Sequence, residues 1–191
     1  MSDQTRREMF RGIAAAMLSG TLLPAQQAQH IHHAVAEATA GGTYAPKALT
    51  PHEYATLQHL SEIIIPGSAA AGAPAFIDFL CSVCDDMQDV YTGGLGWLDA
   101  QMRHRYQVAG FIDARPEQQT ALLDLIAWRR NASPELDPGI HFFDWARRMV
   151  VDGYYTSPAG FKEIGYLGNQ ALSHFSVPQE SLDYALKRSP V

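Results

Sequence analysis

From residue 50 onward, apolar side chains return every three or four positions, the period of an α-helix with one buried face. Tyr54, Leu57, Leu60 and Ile64 make the first stripe. Thr50-Pro51-His52-Glu53 opens it with a capping hydroxyl, a proline suited to the first helical position and a glutamate that completes a capping box. Pro66-Gly67 stops it. Phe76, Phe79, Leu80, Val83, Cys84 and Met87 form a second stripe, which predicts one continuous helix after Ala73-Pro74. Gly93, Gly94 and Gly96 mark a loop or the start of a third helix carrying Trp97, Leu98, Met102 and Tyr106. Pro116 opens a fourth, with Leu122, Leu123, Ile126 and Trp128. After a polar turn over 131–138, the spacing of Phe142, Phe143, Ala146, Met149, Val150 and Tyr154 predicts a fifth, with Phe142 and Phe143 in the core. Residues 158–168 read as irregular with one short turn, and 178–187 as a last helix. Sustained strand-type alternation is missing, and Ile63-Ile64-Ile65 and Met149-Val150-Val151 are too short to outweigh their helical surroundings. The expected fold is all-α, a single compact bundle of five or six helices behind an N-terminal leader.

The leader reading covers residues 1–40. Thr5-Arg6-Arg7-Glu8-Met9-Phe10-Arg11 resembles a twin-arginine export signal, with Met9-Phe10 in the places of the usual apolar pair. A modest apolar run from Ile13 to Leu23 follows, too short to span a bilayer core of roughly 30 Å. The small-residue sequence Ala38-Thr39-Ala40 supplies a cleavage end, with Ala36 as the alternative. Residues 41–49 then form a linker and 50–191 the helical domain. Such a leader places the mature protein in the periplasm, peripheral to the inner membrane if its partners are.

Composition narrows the functional classes. A hydrophobic share of 47% supports a real core, and a net charge of −6 lacks the basic face that nucleic-acid phosphates need. Cys81-Ser82-Val83-Cys84 has the spacing of thiol–disulfide redox sites, yet it falls inside a predicted helix without a βαβ context. A buried thiol pair or a structural disulfide between Cys81 and Cys84 is the better reading. His30, His32 and His33 would need His52 or His59 to bind metal, and they read instead as solvated leader residues. Asp85, Asp86 and Asp89 read as a solvated helix face, and the Arg103–Arg105, Arg129-Arg130 and Arg147-Arg148 clusters as solubilising charge or contacts to an acidic partner or anionic lipid. The glycines at 93, 94 and 96 do not follow a strand in a phosphate-loop pattern, so this chain offers no cofactor or metal motif and no catalytic set.

Several segments together resemble the gluconate 2-dehydrogenase subunit 3 family. They are Leu49-Thr50-Pro51-His52-Glu53-Tyr54 with Ile63-Ile64-Ile65-Pro66-Gly67, Ala75-Phe76-Ile77-Asp78-Phe79, Gly94-Leu95-Gly96-Trp97-Leu98-Asp99, and Asp152-Gly153-Tyr154-Tyr155-Thr156-Ser157-Pro158 with Gly165-Tyr166-Leu167-Gly168-Asn169. The resemblance covers residues 45–170. It implies a non-catalytic small subunit that accompanies a large glucose–methanol–choline type flavoprotein. FAD would sit in that partner, and haem c in a cytochrome third subunit. It further implies that the leader exports the partner, whose substrate is a sugar or alcohol such as gluconate, glucose or a glucoside. Trp97, Tyr154, Tyr155 and Tyr166 are the candidate interface aromatics, with core packing as their other reading. The competing functions are an independent thiol–disulfide protein using Cys81 and Cys84, and a free helical binding module.

Overall fold

The computed structural model describes residues 5, 8–13, 25–166 and 176–189. Arg6-Arg7 and Leu167-Gly168-Asn169 lie outside the described residues. The chain is all-α as expected, with no strand among the described residues. Its helices are α1 (Ala25–Thr39), α2 (Pro51–Ile64), α3 (Ala73–Cys81), α4 (Asp85–Tyr106), α5 (Pro116–Ile126), α6 (Asp137–Tyr155), α7 (Pro158–Glu163) and α8 (Gln179–Arg188). Single 3₁₀ turns lie at Phe111–Asp113 and Arg129–Asn131.

The capping box at the start of α2 forms as read: Thr50 accepts from the Glu53 amide and Glu53 accepts from the Thr50 amide. The second apolar stripe is split between two helices. Ser82 donates to the Phe79 carbonyl at 2.6 Å, a local bond that competes with helix continuation. The chain then turns through Val83 and Cys84 and restarts as α4, with Asp85 and Asp86 at the positive end of the new helix dipole. The apolar spacing runs across the turn unbroken and hides it.

All nine residues of α3 are buried. A helix apolar on every side belongs in the middle of a bundle, and α1, α2, α4 and α6 all pack against it. The α4–α6 crossing depends on two glycines. A Cβ at Gly94 would lie 2.0 Å from the Phe142 ring, and one at Gly139 would lie 2.3 Å from the Trp97 ring. Each helix thus drops an aromatic ring onto the other's bare backbone. The three glycines expected to mark a loop or helix start lie inside α4, because one of them is needed for this approach. Gly93 and Gly96 face open space. Changing either to alanine is therefore expected to raise stability by roughly 0.5–1 kcal/mol through helix propensity. Gly94→Ala is expected to lower it by about 1–3 kcal/mol through overpacking. Thermal melts of the three variants would show opposite signs.

The compact unit also starts earlier than residue 50. In α1, Ala28 and Ile31 are fully buried, and Ala34 and Val35 nearly so. His32, read from sequence as solvated, donates to or accepts from the Thr156 hydroxyl at 2.9 Å and lies 4.9 Å from the Phe76 ring centre. Further upstream, Phe10 meets Phe79 edge-on at 5.0 Å. The composition that suggested a leader end is the same small-residue composition that lets a helix lie close to its neighbours.

Candidate functional site

Asp78 is the most heavily used polar group in the core. It stands alone among apolar residues in α3 and is wholly buried. Its carboxylate accepts from the Tyr44 hydroxyl at 2.8 Å and the Lys47 amide at 2.7 Å through Oδ2. Through Oδ1 it accepts from the Ala48 and Leu49 amides at 3.2 and 2.9 Å. The segment expected to be a plain linker is thus tied to the centre of the bundle. Burial, and then the neighbouring Asp78 carboxylate, hold the Tyr44 phenol well above its ordinary range.

A second network fastens the turn after α4. Asp99 accepts from the Phe111 amide at 2.7 Å and from His52 Nε2 at 2.7 Å. Gln119 donates to the Phe111 carbonyl at 2.7 Å, and its own carbonyl oxygen meets His59 Nε2 at 2.9 Å. His52 and His59 are seven residues apart on one face of α2, so each reaches one of these anchors. A histidine held by a carboxylate has the chemistry of a general base. Here both Asp99 oxygens are engaged, and a Cβ at Gly110 would lie 2.8 Å from Asp99 Oδ1, so the turn closes over the carboxylate. The pair positions a backbone turn.

Cys81 and Cys84 are free thiols in the structure, Cys81 buried and Cys84 half-buried. The motif bridges α3 and α4 rather than lying inside one helix, and Cys84 occupies the cap of α4. Burial, followed by the Asp78 carboxylate, pushes the Cys81 thiol strongly upward. A thiolate nucleophile requires the opposite shift. The histidines do not converge: His32 meets Thr156, His33 lies 3.4 Å from Glu37, and His52 and His59 hold the turn. Asp85, Asp86 and Asp89 are exposed at the start of α4.

The four aromatics proposed for an interface are not brought together. Tyr154 is buried, edge-on to Tyr155 at 5.0 Å, with its hydroxyl donating to Glu163. Tyr155 is half-buried. Tyr166 is 45% exposed and leans on Phe161. Trp97 is half-buried and lines a groove of about 350 Å³ between α4 and α6 with Val90, Gly93, His141 and Trp145. Trp145 escaped the sequence reading because its neighbours Phe142 and Phe143 carry the buried stripe; its place one turn after His141, at the flank of that stripe, was the available signal.

Residues 51–173 match the family described as gluconate 2-dehydrogenase subunit 3. The chain belongs to that family. The match starts at the Pro51 that opens α2 and takes in Asp78 but not its partners in 44–49, the whole Asp99–Gln119 network, and the α4–α6 crossing. No curated protein and no solved structure matches the chain. Membership makes the chain a subunit type of a dehydrogenase complex. Gly93, Gly94 and Gly96 are helical, with Gly94 filled by Phe142, so their amides cannot cradle a pyrophosphate.

Proposed function

We propose that this chain is a non-catalytic small subunit that binds, stabilises and co-exports a large FAD-dependent sugar or alcohol dehydrogenase subunit. The family match over residues 51–173 carries the reading. The internal use of the buried polar groups supports it: Asp78, Asp99 and Gln119 are each spent on backbone anchoring, which makes a rigid binding body rather than a reaction centre. The partner is a glucose–methanol–choline type flavoprotein, and a cytochrome c completes the electron path. The complex works in the periplasm, reached by the twin-arginine route, and touches the membrane only peripherally. A flavoprotein that crosses already folded needs one signal for two chains, and their contact must survive the passage. Changing Arg6→Lys together with Arg7→Lys tests this. Both chains are expected to accumulate in the cytoplasm, with periplasmic dehydrogenase activity falling at least tenfold. Normal periplasmic flavoprotein in that double variant would refute the co-export role.

A further inference from the structure

The outer face of α6 carries Trp145 beside Trp97 of α4, and it is reached by Arg129, the sequence neighbour of Trp128; these are the three tryptophans of the chain. None of them is buried: Trp97 and Trp145 are half-exposed and Trp128 is 54% exposed. Trp97 and Trp145 form the walls of the groove between α4 and α6. The Trp145 ring carries the Arg148 guanidinium at 5.2 Å, and Arg148 in turn borders a neighbouring depression of about 320 Å³. Arg129, Asp144, Arg147 and the 38%-exposed Val151 complete that depression. Arg129 and Arg147 both lean on Asp144, at 2.7 and 3.5 Å. Beside Arg129, Trp128 carries the Arg130 guanidinium at 4.9 Å.

Charge sets this face apart. The chain as a whole carries −6, yet the depression presents three arginines to one carboxylate, with a fourth arginine next door and the half-buried Asp152 a turn further along α6. Arg148 and Arg130 each lie over an indole ring, and a guanidinium can take a carboxylate two-pronged through its N–H edge. Tryptophan and arginine are the side chains that dominate contact energy at protein interfaces. The two hollows also suit protruding side chains better than a flat bilayer.

We infer that this Trp97–Trp145–Arg148–Arg147–Arg129–Trp128 face is where the dehydrogenase's large subunit docks. An acidic rim on that subunit would meet the arginines, and one of its apolar side chains would enter the tryptophan-walled groove. This rests on the accessory-subunit reading, and it names the surface and the chemistry of the mate.

The test is co-purification of the large flavin-bearing chain with tagged full-length protein from cells that make both. The forms compared are the parent, Arg147→Glu with Arg148→Glu, Arg129→Glu, Trp145→Ala, and Arg103→Glu as a control on another face. Thermal melts accompany each form, so that a fold defect in Trp145→Ala is seen, while the exposed arginine changes leave the core alone. The flavoprotein recovered is expected to fall at least tenfold for the three α6-face variants and to match the parent for Arg103→Glu. Added salt should weaken the parent complex. Parent-level recovery in the folded face variants would overturn this docking face while leaving the accessory role standing. A parent that captures no flavoprotein would overturn the accessory role, and this face with it. Face variants that keep the flavoprotein but lose binding to anionic phosphatidylglycerol vesicles would reassign the surface to the membrane and overturn the protein-docking proposal.

Discussion

Replacing Asp78 with alanine is expected to cost on the order of 3–5 kcal/mol, the largest effect of any single substitution considered. Hydrogen bonds to a charged group contribute roughly 1.5–3 kcal/mol each, and removing the carboxylate also leaves buried donors without a partner. Four donors are at stake, three of them backbone amides that nothing else can satisfy once they are buried. The losses will not add in full, because the freed 44–49 segment can peel away into water. Asp78→Asn is expected to be almost as harmful, since its amide nitrogen would point a donor at donors. For a chain of this length such a loss lowers the melting temperature by roughly 10 °C, and amide exchange at Lys47–Leu49 should speed up more than elsewhere. A melt within a degree or two of the parent would mean that the segment holds its place without the carboxylate.

The second large effect concerns α1. A chain beginning at residue 41 is expected to melt roughly 6–12 °C below one beginning at residue 25, corresponding to about 3 kcal/mol. Burial of Ile31 and Val35, with smaller shares from Ala28 and Ala34, accounts for a gross gain somewhat above that figure at about 25 cal/mol per Å². The ordering of the helix backbone offsets part of it. The same seam has a pH signature. Burial lowers the His32 pKa from its ordinary 6.5 to about 4. The unfolded chain therefore takes up a proton that the folded chain refuses, so stability is full above pH 6.5 and falls as pH drops toward 4. Asp152, whose carboxyl is raised by burial, works in the opposite direction. The difference between the parent and His32→Gln isolates the histidine: the variant's melting temperature should lose that acid dependence. A cut after Ala40 would remove this helix, so the co-export proposed above is expected to leave it attached.

The helical class, the α2 capping box, the α5 start at Pro116 and the α6 stripe were legible because each depends on neighbours within a turn or two. What stayed hidden depends on distant chain. The stripe from Phe76 to Met87 looked like one helix because helical spacing does not register a turn that conserves which side is buried. The α4 glycines looked like a loop because their reason for being small, Phe142, lies almost fifty residues away. Asp78 was visible as a lone charge in an apolar run, the one cue that a buried carboxylate gives, but its partners in 44–49 carry no pattern at all since three of them are backbone amides. Of the candidate interface aromatics, Trp97 is half-buried and Tyr154 is buried. Trp128 and Trp145 gained meaning only when folding set them beside arginines from a different segment.

The most direct test of the central claim is the recovery of tagged full-length chain from the periplasm, followed by absorbance and turnover measurements on what elutes. The account predicts a complex in which a larger chain carries the flavin and oxidises a sugar or alcohol, while the 191-residue chain separated from it is colourless and inert. Elution of the chain alone with no flavoprotein, or substrate oxidation by the chain on its own, would contradict it.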